Sequence, residues 1–488
     1  MTRHLAIVVL AIITITTAVV FAQQSGPMMQ MMQMMHGPQA QPSVSNGLGF
    51  QNPNGYSLTV SQGGSMPGPF FMNFGTNGRN CATCHQASDA MSVSAANIQA
   101  RFDATGGIDP IFRTNDGSNC NHDVDVTSVA TRSAAYSLLR TRGLIRTALS
   151  VPKGADFEVV SVSNPYGCGE KDLLSVYRRP LPSTNLRFLS EVMWDGRESS
   201  SETGTAPITP TNYPESLTDD LGHQAGNLTD DLGHQAVSAA ILHAQASFLP
   251  PPWRQHVVAF EMAQITAQSL ATGAGPLDTQ GALGGPVALS TQRFFIGIND
   301  PFGFNPSKTT FTPVIFDIFN AWAKIPDSDP RAAIVRGQTI FNSKLIAISG
   351  VAGLNDTFNL PSLQGTCGTC HDSPNVGNHS VALPLNIGVA DLTNPNGVDY
   401  LPVFSLRNKN TKEVVQTTDP GRALVTGKFA DIGKMKVPIL RGLSARAPYF
   451  HNGSAMTLLD VVNFHDLRFR IGLTAQEKTD LVAFLGAL

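Results

Sequence analysis

The clearest apolar rhythm lies near the carboxy terminus. Thr474-Ala-Gln-Glu477 is a capping box, a hydroxyl followed by a carboxylate at the spacing that lets each cap the other. Leu481, Phe484, Leu485 and Leu488 then fall at i, i+3, i+4 and i+7, which predicts a helix with one buried stripe. A second stripe begins after Thr457, a good N-cap, and runs through Leu458, Val461, Val462 and His465. Its last member is an imidazole, so a polar ring continues the face that points into the core. Upstream, Ile334, Gly337 and Phe341 share one side of the predicted helix Arg331–Phe341. Ala236 to Ala246 reads as another helix, ending near Ser247 before Pro250-Pro251-Pro252.

Between these segments the pattern breaks down. Gly106-Gly107-Ile108-Asp109-Pro110, Asn115-Asp116-Gly117 and the Gly- and Pro-rich stretch 273–305 are turn and loop signals. With 44 Gly and 32 Pro in 488 residues, long loops between short helices are expected, in two or three domains. The predicted fold is mainly α, with a boundary between about Asn305 and Asp329 separating residues 66–315 from 316–488. Two copies of Leu-Thr-Asp-Asp-Leu-Gly-His-Gln-Ala, at 217–225 and 228–236, repeat at eleven residues. That period is close to three helical turns and keeps a buried face in register, although a duplication without function explains it as well.

The amino terminus changes the picture of where the protein works. Arg3 and His4 precede an apolar run from Leu5 to Phe21, and Val20 and Ala22 suit cleavage before Gln23. Residues 1–22 are therefore expected to be a signal peptide and the protein periplasmic or otherwise exported. The run is at the lower limit for spanning a bilayer, so membrane contact is expected only if it stays uncleaved. Residues 23–65 read as a Met/Gln/Pro-rich disordered linker. Its tract of Met28, Met29, Met31, Met32, Met34, Met35 and His36 offers soft thioethers that suit Cu(I), but a plain tether fits the surrounding residues better. The formal net charge of -3, with 14% charged residues, gives no basic face for nucleic acid.

The candidate chemistry sits in Cys81-Ala-Thr-Cys84-His85 and Cys367-Gly-Thr-Cys370-His371. Each is C-x-x-C-H, the attachment signature of a c-type haem, with two thiols for thioether bonds and an imidazole for the iron. A zinc or dithiol reading lacks the further Cys/His pairs of a closed tetrahedral site. Two covalently bound haem c groups are therefore expected. Helices crossing around such a motif are the plan of a cytochrome c domain, so two haem domains with long irregular loops and insertions follow. Cys120 and Cys168 lie outside both motifs; in an oxidising compartment a disulfide is the simplest pairing, two buried thiols the alternative.

The second axial ligand decides what a haem does. His465 is the nominee for the second haem, with Met435 and Met456 competing and His379 and His451 weaker. For the first haem, His122 lies in a polar loop and Met91 is too near His85 in sequence, so no tight sixth protein ligand is expected.

On the two C-x-x-C-H motifs, Met193-Trp-Asp-Gly-Arg197, and the segment Lys436 to Ser454, the chain resembles the bacterial di-haem cytochrome c peroxidase family, which includes MauG. The resemblance covers most of the chain from about Gly68. It implies hydrogen peroxide as substrate, a small redox protein as electron donor, and Trp194 as a relay between the haems. It places a calcium ion at Asn185 with the carbonyls of Arg446 and Pro448, and His465 as the second haem's distal ligand, where His in place of Met lowers the potential. Two departures stand out. Arg101 occupies the place of a detachable His, and no distal Glu is evident after the tryptophan motif, leaving Gln235, His234 or His243 as candidates for acid–base work. The leading expectation is peroxide reduction at the amino-terminal haem with electrons from the carboxy-terminal one. MauG-like oxidation of a protein or organic substrate, and plain electron transfer, are the alternatives.

Overall fold

The last helix, Ala475–Gly486, begins as its sequence dictates: Thr474 Oγ1 accepts from Glu477 N at 3.2 Å, and Glu477 Oε2 accepts from Thr474 N at 2.8 Å. Its stripe of Leu481, Phe484, Leu485 and Leu488 is buried. It crosses the helix Arg331–Ser343 at Gly337, where a β-carbon would lie 2.1 Å from Asp480 O. Glycine is required there by close backbone approach. Phe316, Phe341 and Phe484 pack edge-on or tilted beside the crossing, with ring centroids 5.2 to 5.7 Å apart. The His465 helix, Leu458–Phe469, is likewise capped by Thr457, whose Oγ1 accepts from Asp460 N at 3.1 Å.

The computed structural model describes residues 47–63, 68–169, 171–199 and 221–488, with side chains from 228 onward in the helix that starts at Leu221. The apolar leader, the Met-rich tract and the first copy of the repeat lie outside the described side chains. Val44–Leu488 form one compact unit.

The mainly α expectation needs correction. Besides its helices, the described chain carries four small antiparallel sheets. Phe157–Ser163 pairs with Val403–Asn408, which pairs in turn with Val414–Thr417, and Ile145–Ser150 pairs with Leu173–Arg178. Each strand is short, and Phe157–Ser163 finds its partner far along the chain, so local periodicity gives little warning. The linker reading also fails at its end. Leu48–Asn52 and Gly55–Ser61 form a hairpin across Asn52-Pro-Asn-Gly55, and the second strand pairs with Gln264–Ala271. Tyr56, Leu58 and Val60 alternate with polar residues, and Thr59 Oγ1 lies 2.8 Å from Thr266 Oγ1. That alternation under a turn signal was readable. Cys120 and Cys168 are joined in a disulfide.

Candidate functional site

Both C-x-x-C-H motifs fold alike. Asn80 and Thr366 each begin a single 3-10 turn over Cys81–Thr83 and Cys367–Thr369, closed by Thr83 and Thr369. The turn brings the two thiols and the following imidazole to one cavity wall. His85 Nδ1 lies 3.0 Å from Met91 O, and His371 Nδ1 lies 2.6 Å from Gly377 O. An N–H donated to each carbonyl leaves Nε2 with a free lone pair, the tautomer that a metal ligand requires. Burial lowers both imidazoles to about 4, so they stay neutral, and it pushes the Cys367 and Cys370 thiols up to about 12.

The first cavity encloses ≈ 1530 Å³ of atom-free space, part of it open to solvent, and Cys81, Cys84 and His85 line it. Gln235 lines it too, from the helix Leu221–Leu242, as do His243 and Met193. His243 Nδ1 is engaged 2.6 Å from Asp116 Oδ2. His234 is exposed and paired with Glu198, so it lies outside the cavity. Arg101 is held by Asp109 and by Thr83 O beneath the motif. Met91 serves through its carbonyl, and His122 sits on the surface beside Asp123.

Sequence reasoning missed the acid. Glu261 lines the first cavity from the helix Pro251–Ala263, is buried, and has Oε2 without a hydrogen-bond partner. Burial pushes its carboxyl up to about 8, so it is neutral at pH 7. A signal existed: Val257, Val258 and Glu261 fall at i, i+1 and i+4, an acid on an apolar stripe.

The second cavity encloses ≈ 1720 Å³, again partly open, lined by Cys367, Cys370, His371 and His465. His465 Nδ1 lies 2.8 Å from Val461 O, so its Nε2 is also left free. Met435 and His451 line the same space. Met456 is exposed and its sulfur accepts from Arg142 at 3.0 Å, and His379 is bound to Asp372 elsewhere.

Trp194 belongs to the walls of both cavities, as do Arg179, Pro180, Lys436, Pro438 and Arg446. Its Nε1 donates to Arg179 O at 2.8 Å, and its carbonyl accepts from Lys436 N at 2.8 Å. The motif around it is fixed by charge. Asp195 accepts from Arg178 at 2.5 Å and from Arg197 at 3.0 Å, and Arg178 also grips Asp419 at 2.7 Å. These cations hold the Asp195 carboxyl well below the usual carboxylate range. The ring of His451 stands edge-on to Trp194, 6.1 Å away.

Whether this frame suits haem can be judged from its leftover charges. Arg441 is buried and Arg446 half-buried, and the Nε of each has no hydrogen-bond partner. Burial lowers them to about 9 and about 10. Buried cations want anions, and propionates carried on an otherwise apolar macrocycle supply them. Paired thiols, free imidazole nitrogens, apolar walls and unmatched guanidinium groups fit the group. The calcium expectation fits less well. Asn185 Oδ1 accepts from Thr266 N at 3.0 Å, and Arg446 O accepts from the Arg179 guanidinium at 2.8 Å. Each of those oxygens already accepts a hydrogen bond, and the cation beside Arg446 O is Arg179.

No protein-family profile matches the chain. It is 33% identical over 144 residues to cytochrome-c peroxidase IdrP2 of Denitromonas iodatirespirans, covering 27% of this chain and 38% of that protein. It is 41% identical over 81 residues to cytochrome-c peroxidase IdrP1 of Pseudomonas sp. strain SCT, covering 14% and 21%. It is 36% identical over 94 residues to cytochrome c peroxidase Ccp of Escherichia coli K12, covering 19% and 20%. The chain thus spans well under half the length of these curated relatives. Among solved structures, a MauG-like protein associated with microbial copper homeostasis covers 86% of this chain and 87% of its own, at 14% identity and a TM-score of 0.34. That likeness is too loose to argue from.

Proposed function

Proceeding from a chain that resembles the bacterial di-haem cytochrome c peroxidases and shares segments with curated cytochrome-c peroxidases, we propose that it is an exported di-haem oxidoreductase reducing hydrogen peroxide in the Cys81 cavity. Residues 66–315 and 316–488 are read as its two haem lobes. Cys81, Cys84 and His85 would hold the haem, which would supply the redox-active iron for peroxide reduction.

The observation that carries this reading is Glu261. Splitting an O–O bond needs a proton moved to the departing oxygen, which leaves as water. The neutral carboxyl of Glu261 has a donor and an acceptor on one group, and its Oε2 is unpartnered. It can give its proton to one peroxide oxygen while taking one from the other. Gln235, on the facing helix, has an amide that can orient the bound peroxide. A missing distal acid would fit plain electron transfer, and the carboxyl of Glu261 in the cavity favours the peroxidase reading instead.

The Cys367 cavity takes the complementary role. His371 and His465 both line it with Nε2 free, so the two imidazoles would hold haem iron between them, a ligand set that would favour electron transfer. Trp194, in the wall common to both cavities, is the relay. A small redox protein is the expected donor. EPR and optical spectra of the oxidised protein, before and after peroxide, test this. One haem should respond to peroxide and the other should keep a bis-imidazole signature. Two six-coordinate haems in every redox state, both indifferent to peroxide, would overturn it.

A further inference from the structure

Outside both cavities a buried polar cluster is left over. Asp300, Asp372 and His379 each offer a donor atom within 4.8 Å of the others, and all three are buried. Asp300 Oδ2 accepts from Phe302 N and Phe304 N, both at 2.8 Å. Asp372 Oδ1 accepts from Ser380 N at 2.6 Å, while its Oδ2 takes Ser380 Oγ at 3.1 Å and His379 Nδ1 at 2.8 Å. Two atoms remain. Asp300 Oδ1 and His379 Nε2 are buried without any hydrogen-bond partner.

The charges do not close either. Among the charged groups acting on Asp300 and Asp372, the favourable one is His379 itself. Glu191, also buried, acts on His379 as well, but its Oε2 is ion-paired with Arg422 at 3.6 Å and Lys436 also acts on it. Among the described residues no Arg or Lys is ion-paired to Asp300 or Asp372, so two buried carboxyls and an unpartnered imidazole nitrogen leave a place for a cation.

We propose that Asp300 and His379, with Asp372 behind the imidazole, bind a divalent first-row transition-metal ion, with Zn²⁺ as the test case. His379 Nε2 and Asp300 Oδ1 face the ion, and Asp372 steadies the ring through its Nδ1–H. A metal-bound histidine commonly donates its other N–H to a carboxylate, and mixed imidazole and carboxylate donors suit zinc. The ion ties the Asp300 turn to the loop that follows His371. That loop also carries Gly377, whose carbonyl orients His371, so the site braces the second cavity from outside. Nothing in this inference depends on peroxide chemistry.

The test is elemental analysis of the purified holoprotein, before and after chelation and titration with Zn²⁺ alone. Zinc equimolar with the chain is expected in the wild type, with loss of binding in Asp300→Asn and His379→Gln. A wild type that takes up no zinc overturns the proposal and leaves a proton-sharing hydrogen-bond network. Variants that keep the ion overturn it too. Should the variants fail to fold, anomalous scattering at the zinc edge from wild-type crystals decides. A peak beside His379 Nε2 supports the site, and a zinc-soaked crystal with no peak there refutes it.

Discussion

At Cys81–His85 and at Cys367–His371 the chain does the same thing twice. A one-turn 3-10 helix, a closing threonine and a carbonyl set six residues beyond each imidazole present two thiols and one free Nε2 to a cavity. The cavities part company on their remaining walls. Glu261 and Gln235 line the first, and His465 lines the second. Attachment is therefore generic, and the chemistry is set by side chains that arrive from unrelated helices. On the proposed reading, the neutral carboxyl of Glu261 would serve a substrate that needs protons moved, whereas the His465 imidazole would hold haem iron and leave no place for substrate.

The comparison can be broken most severely at Glu261. Glu261→Gln should keep the buried shape but lower peroxide turnover by about 10²–10⁴-fold, with the resting optical spectrum unchanged. His465→Ala should open the second cavity, so that added imidazole or carbon monoxide binds there in spectral titration; a wild-type-like response would show that His465 is no ligand. The pH profile sharpens the same point. Glu261 holds its proton below about 8, so turnover should be level through neutral pH and fall as pH rises past that value. Trp194→Phe should leave the first reaction with peroxide intact and slow re-reduction by the donor, read in stopped-flow absorbance. Smallest is Thr474→Ala, which removes a cap on the second lobe and should cost about 1 kcal/mol in thermal or denaturant unfolding.

Much of the second cavity was legible in the sequence. Caps at Thr457 and Thr474, the stripes that follow them and the motif at Cys367 are each specified within a few consecutive residues, and local rules carry them. The first cavity was harder to read. Its motif was plain, but the facing helix Pro251–Ala263 was not, because an acid among valines reads as an interruption until burial shows which way it points. The strands were lost for a related reason. Phe157–Ser163 is stabilised by Val403–Asn408, and no local window contains both.

The sequence by itself determined the covalent chemistry: which thiols and which imidazoles can hold haem, and that His465 continues an apolar face. Those are properties of short spacing, and a few consecutive residues specify them. Only the tertiary structure decided that Glu261 borders the Cys81 cavity, that Trp194 borders both cavities, and that Asp300 lies beside Asp372 and His379. Buried charge and shared walls are made by chain segments distant in sequence, and their energies exist only once water has been excluded between them.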